Sequence, residues 1–209
     1  MGVKDRKERD FKRREQEILA AALKLSQTDQ WQWVTIEQIA QAAEIGKGTV
    51  YKHFGTKDEI YAVLAMDFHR RVVEGLEQLP SAKFEQRVRG VVRVFWERYR
   101  EGKQYQRVVQ YCERQDFRRA ISAETRRLFE QLDERFARIT RGLMQLGIDE
   151  GLLPKKPFPL LVFGANAALY GGLHLAWGGC LEGRDSEKFL SELTDFILRG
   201  WLQSPRKSA

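Results

Sequence analysis

Thr35-Ile-Glu-Gln-Ile-Ala-Gln-Ala-Ala-Glu-Ile-Gly-Lys-Gly-Thr-Val-Tyr-Lys-His-Phe54 is the stretch on which the reading of this chain turns. Thr35 followed by Gln38 forms a capping box, so a helix is expected from Ile36. Ile36, Ile39, Ala40 and Ala43 share one face at helical spacing. Glu44, Ile45 and Gly46 make a tight turn, with Ile45 as an apolar plug and Gly46 as the cap of a second short helix. In that helix Val50 and Phe54 point back to a core, four residues apart. Lys47, Gly48, Thr49, Tyr51, Lys52 and His53 are left on the outside or the flanks. Gly48 costs about 1 kcal/mol inside a helix relative to alanine. It makes sense where backbone must approach another surface with no side chain between. A short, polar, outward helix of this kind suits the major groove of duplex DNA.

Thr56 to Glu59 repeats the capping pattern and opens a long helix. Lys57 lies in its first turn, where open N–H groups and a cation suit a phosphate.

The run Ile39-Ala40-x-x-Ala43-x-Ile45-x-x-Gly48-x-Val50-Tyr51-x-His53-Phe54, followed by Lys57-Asp58-Glu59, resembles the DNA-binding domain of the TetR family of bacterial transcriptional regulators. Ile18-Leu19-Ala20-Ala21-Ala22-Leu23 resembles that family's first helix, so the likeness spans residues 10–72. Glu44 stands where the family usually has glycine, and Gly46 where it usually has serine. The first strains a turn that needs positive φ. The second removes a hydroxyl that could meet a phosphate.

The 209 residues carry 36 Lys/Arg against 29 Asp/Glu, a net charge of +7. A basic chain favours polyanionic partners, though weakly. The excess does not lie on the motif. Residues 1–58 hold eleven basic and nine acidic side chains, residues 83–119 eleven and five. Cys112 and Cys180 are too few for a disulfide framework and fit a reducing cytoplasm. The N-terminus is charged from Lys4 to Arg14 and lacks the apolar core of a secretory signal.

All regular structure reads as helix. The spacing predicts helices near 9–26, 57–79, 83–101, 103–117, 122–146, 159–181 and 186–202 around the motif at 35–54. Gly147 is expected to end the longest, whose inward stripe runs from Leu128 through Leu132, Phe136, Ile139 and Leu143 to Leu146. The predicted organisation is all-α: a charged arm at 1–11, a helix-turn-helix domain at 12–72, a helical effector-binding and dimerisation domain at 73–204, and a disordered tail at 205–209.

Pro159 to Leu181 holds no charged residue and is about as long as a bilayer core. Its small residues Gly164, Ala168 and Gly172 suggest instead a close approach of helix backbones, so no membrane partner is expected. With Phe189, Leu193, Phe196 and Trp201 of the last helix they are the candidate dimer interface; packing inside one subunit is the alternative. The resemblance implies a homodimer through the last two helices, a double-stranded operator as partner and a small-molecule effector in the middle helices. Candidate lining groups are Trp96, Tyr99 and Tyr111, and then Phe163, Asn166, Tyr170, His174 and Trp177. Aromatic residues at helical spacing also serve as plain core. Asn166, Tyr170 and His174 share one face and are polar in an apolar run, which asks for a partner. The central arginines suit either an anionic effector or a solvated face.

On DNA, Lys47 and Thr49 are assigned to base edges or nearby phosphates, and Thr35, Tyr51, His53 and Lys57 to phosphates. Gly48 and Lys52 complete the candidate surface. The likeness implies ligand-released repression at a palindromic operator; an architectural DNA-binding protein without effector control is the alternative. Enzyme motifs are missing. Gly46-Lys47-Gly48-Thr49 is not a phosphate loop, and His53, His69 and His174 have no metal-ligand spacing. Neither a metal nor a cofactor is expected.

Overall fold

The computed structural model describes residues 3–28, 30–181 and 183–202. Among them it has ten α-helices, two short 3₁₀ turns and no strand. The helices are α1 (Val3–Ser26), α2 (Ile36–Ala42), α3 (Lys47–His53), α4 (Lys57–Glu77) and α5 (Phe84–Glu101). They continue as α6 (Gln106–Cys112), α7 (Phe117–Ala120), α8 (Ala123–Asp149), α9 (Phe158–Trp177) and α10 (Ser186–Leu202). The expected tail at 205–209 lies outside the described residues.

The chain divides into two compact units. One contains the N-terminal segment through His69 and also Gln104–Gln131; the other contains Arg70–Lys103 and the chain from Leu132. The expected division at residue 72 therefore misses one feature: α6, α7 and the start of α8 pack with the N-terminal helices. The charged segment is no separate arm either. From Val3 it forms the opening turns of α1. Lys12 pairs with Glu8, and Arg13 with Asp10 and Glu17, at helical spacing.

The first unit is built on a small apolar centre. Ile18 and Ala22 of α1, Ile39 of α2, Val50 of α3 and Ile60 of α4 are fully buried. The expected helix at 103–117 is broken. A 3₁₀ turn at Lys103–Tyr105 leads into α6, and α7 begins only at Phe117. Phe117 is fully buried and meets Phe129 edge-on, with ring centroids 6.0 Å apart. That contact corrects the stripe of α8. Phe129 turns inward while its neighbour Leu128, expected inside, is 48% exposed.

In the second unit α9 packs against α5 and α10, and α10 against α5. Phe84, Val88, Trp96 and Leu173 are almost wholly buried there. Gly147 does not end α8, which continues to Asp149. A Cβ at Gly147 would lie 2.7 Å from Leu153 and 2.8 Å from Phe84. The glycine is a place of close packing. The residue with positive φ after α8 is Gly151, at 72°. The arginines of α5 are spent on the surface: Arg89 binds Asp195 at 2.8 Å and Arg93 binds Glu187 at 3.3 Å.

Candidate nucleic-acid interface

The capping box at α2 is present in full. The Thr35 side chain accepts from the Gln38 amide, and the Gln38 side chain accepts from the Thr35 amide. The turn that follows carries the strain expected of Glu44, whose φ is 56°; no other described non-glycine residue has positive φ. Gly46 caps α3 with an extended backbone and no side-chain hydrogen bond. Val50 is fully buried and Phe54 nearly so, which fixes the face α3 turns away from its own unit.

Lys47, Gly48, Tyr51 and Lys52 are exposed on α3, and Thr49 is half-buried. A Cβ at Gly48 would meet nothing within 4 Å, so the backbone there is open to an approaching surface. Lys47 is not idle. Its ammonium is hydrogen-bonded to the Glu37 carboxylate of α2 and lies 5.7 Å from the Tyr51 ring centroid. That bond holds the Glu37 carboxyl below, and the Lys47 ammonium above, their ordinary ranges.

Two residues expected at phosphates are turned inward. His53 is half-buried, with its ring 4.0 Å from that of Phe11 in α1. Its Nδ1 is enclosed and has no hydrogen-bond partner among the described residues. Lys57 reaches the Gln32 carbonyl at 3.3 Å and lies over the rings of Tyr61 and Tyr111, 5.9 and 5.3 Å from their centroids. Burial lowers its affinity for a proton. The aromatic faces answer part of that desolvation.

The first turn of α4 is tied to the later helices of the same unit. Thr56 accepts from the Glu59 amide at 3.2 Å, half of the expected capping box. The Glu59 carboxylate closes no box on Thr56; it accepts from the Ser122 amide and the Thr125 hydroxyl. Asp58 accepts from Tyr111 and Arg114. These anchors lie 53 to 66 residues away along the chain, beyond any local pattern.

The second unit holds an apolar cavity of about 50 Å³. Of the candidate effector residues only Asn166 lines it. Trp201, expected at a dimer interface, lines it too, and its indole N–H donates to the Leu161 carbonyl at 2.6 Å. The rest of the lining comes mainly from α5, α8 and α9, including Phe95, Phe136, Thr140 and Val162. Where three amphipathic stripes converge, a cavity can form, but a single stripe gives no sign of it.

The other candidates are elsewhere. Tyr111 belongs to the first unit. Trp96 is buried beside Phe189, with centroids 5.4 Å apart. Tyr99 and Trp177 stack at 4.5 Å, and the Trp177 N–H donates to the Tyr99 carbonyl. Phe163, Tyr170 and His174 are exposed. Gly172 is used within the chain, since a Cβ there would lie 2.8 Å from Leu193. Gly164 has nothing within 4 Å of that position, Ala168 is half-buried, and Phe196 is 68% exposed. Among the described residues no group of three or more His, Cys, Asp or Glu could hold a metal ion.

Residues 18–64 match the family model for bacterial regulatory proteins of the tetR family. The HTH-type transcriptional regulator TcmR of Streptomyces glaucescens is 25% identical over 167 residues, which is 76% of this chain and 72% of that protein. The solved TetR family transcriptional regulator PfmR of Thermus thermophilus superposes with a TM-score of 0.70 at 21% identity, covering 87% of this chain and 97% of that one. The fatty acid degradation regulator FadR of Bacillus halodurans superposes with a TM-score of 0.71 at 17% identity, covering 90% and 95%. Those structures establish the fold, and the relatives are regulators of transcription rather than enzymes. The helix-turn-helix segment is thus similar to that of bacterial regulatory proteins of the tetR family, and the all-helical fold is that of solved TetR family regulators.

Proposed function

We propose that this regulator is a repressor that binds a palindromic operator as a homodimer in the cytoplasm and is released by a small-molecule effector. The observation that carries the reading is the outward face of α3. Lys47, Gly48, Tyr51 and Lys52 stand exposed while Val50 and Phe54 anchor the helix from behind. A helix of seven residues reads few base pairs, so a useful site needs two copies. Lys47 and Thr49 address base edges, and Thr35, Tyr51 and Lys52 the flanking phosphates. Lys57 and His53 contribute by holding α3 and α4 in place rather than by reaching phosphate.

The second copy has a surface to meet. α9 is long and apolar enough to cross a membrane by length and composition, yet only 28% of its most apolar window is buried within the chain. Leu160, Phe163 and Leu175 of α9 and Phe196 of α10 are exposed large apolar side chains. A symmetry-related pair of these helices covers them in a four-helix bundle. The cavity beside α9 is the effector site. An effector acts there only by binding one conformational state better than another.

The test is footprinting on DNA fragments together with sedimentation equilibrium. One or two protected palindromic sites and a mass of two chains support the reading. A monomer that protects no site overturns it.

A further inference from the structure

The cavity of the second unit assigns a chemical class to its ligand. We infer that the effector is an uncharged, largely apolar molecule with one amide-like or carbonyl-like group, which Asn166 receives. The inference rests on reading this cavity as the effector site.

Among the lining side chains none is ionisable. A carboxylate or phosphate brought into such a place would lose its hydration with no partner in return. The arginines that could have served an anion face elsewhere. Arg89 and Arg93 pair with acidic side chains of α10, Arg135 pairs with Glu77 at 2.7 Å, and Arg87 donates to the carbonyls of Leu79 and Pro80.

Three lining residues are polar, and two are already engaged. The Trp201 N–H is given to Leu161, and the Thr140 hydroxyl donates to the Phe136 carbonyl at 3.0 Å. Asn166 has no side-chain hydrogen-bond partner among the described residues. Its amide offers two donors and an acceptor. A ligand amide pairs with it reciprocally, while Thr140 still has lone pairs to accept a second donor. A cavity of about 50 Å³ is small. Roughly 150 Å³ holds benzene, so even one ring enters by shifting the leucine and valine side chains around it. Binding therefore selects a widened form of the unit, which is the differential affinity an effector needs.

Benzamide, benzoate and toluene share one shape and differ in the group that matters. Each is titrated into the full-length protein by calorimetry, with thermal shift as a second readout. Benzamide is expected to bind at least tenfold more tightly than toluene, and benzoate at least a hundredfold more weakly than benzamide. Asn166→Leu should cut benzamide affinity at least tenfold and leave toluene unchanged, which also shows the variant is folded. Ala165→Phe, which fills the cavity, should abolish binding of all three. Benzoate binding as well as benzamide, or benzamide indifferent to Asn166→Leu, overturns the chemical class while the cavity stands as a ligand site. Binding that survives Ala165→Phe, or no binding by any probe, removes the cavity itself and the class with it.

Discussion

One carboxylate oxygen of Asp58 accepts two hydrogen bonds, from the Tyr111 hydroxyl at 3.0 Å and from the Arg114 guanidinium at 2.7 Å. Asp58 stands five residues beyond the end of α3, and its partners lie on and just after α6. The Arg114 guanidinium also covers the Tyr111 ring, 3.9 Å from its centroid. Burial first, and then the Asp58 carboxylate, push the Tyr111 phenol well above its usual range. It remains a donor at every ordinary pH.

Asp58→Ala leaves a buried hydroxyl without an acceptor. The expected loss is about 1–3 kcal/mol, read from the urea midpoint, and Asp58→Asn should recover part of it. Because α4 follows directly on α3, operator affinity should also fall. Unchanged stability in Asp58→Ala would show that the triad is ornamental.

Tyr61 presents the opposite case. It is fully buried, and its hydroxyl has no partner among the described residues. Tyr61→Phe removes an unsatisfied polar group, so it should be neutral or stabilising by about 1 kcal/mol at pH 7. Burial pushes the Tyr61 phenol up to about 12. Below pH 10 the hydroxyl is neutral whether the chain is folded or not. Between about pH 10 and 12 the unfolded chain loses this proton and the folded one keeps it. Stability from this group is therefore lost as pH rises through that window, and Tyr61→Phe should lose less. Parallel pH profiles for the two proteins would contradict the assignment.

Glu44 holds a φ of 56° in the turn between α2 and α3. Glu44→Gly relieves a left-handed conformation worth about 1–2 kcal/mol, partly offset by the entropy glycine adds to the unfolded chain. A modest rise in melting temperature is expected. A fall would mean the glutamate side chain contributes more than its backbone costs.

Gly164 and Gly172 lie eight residues apart on α9 and differ in surroundings: Gly164 is open, while Gly172 packs against Leu193. Gly164→Arg should leave helix content intact and shift sedimentation toward the monomer. Gly172→Leu should instead unsettle the packing of α9 on α10, at about 1–3 kcal/mol. A Gly164→Arg protein that stays dimeric would place the interface elsewhere.

Glu37 restrains Lys47 through their direct ion pair. Glu37→Gln should free the Lys47 ammonium for base edges and raise affinity for the preferred operator more than for random duplex. Lys47→Ala should alter the order of preference among operator variants, because base contacts carry that information. Competition assays across a panel of operators separate the two outcomes.

What could be read in advance was local. The Thr35 box, the anchoring pair Val50 and Phe54, and the strained Glu44 each depend on neighbours within a few positions. What escaped depends on distant partners. Leu128 and Phe129 are adjacent and both apolar, and the partners that receive Phe129, Phe117 and Arg118, are not visible in the spacing of α8. Gly147 looks like a terminator until Phe84 and Leu153 are seen against it. Lys57 looks like a phosphate ligand until Tyr61 and Tyr111 are placed beneath it. Asn166 stood out as polar among apolar neighbours, but nothing along the chain tied it to Thr140.

The ion pair at Lys47 and the inward turn of Lys57 have a consequence for how the molecule searches a genome. With Lys47 paired and Lys57 turned inward, Lys52 is the cation of α3 without an ion pair among the described residues, so random duplex would displace few counterions on docking. Such a regulator would dwell briefly on unrelated sequence and hold only where base edges fit. In a crowded chromosome, loose attachment elsewhere shortens the hunt for the proper address.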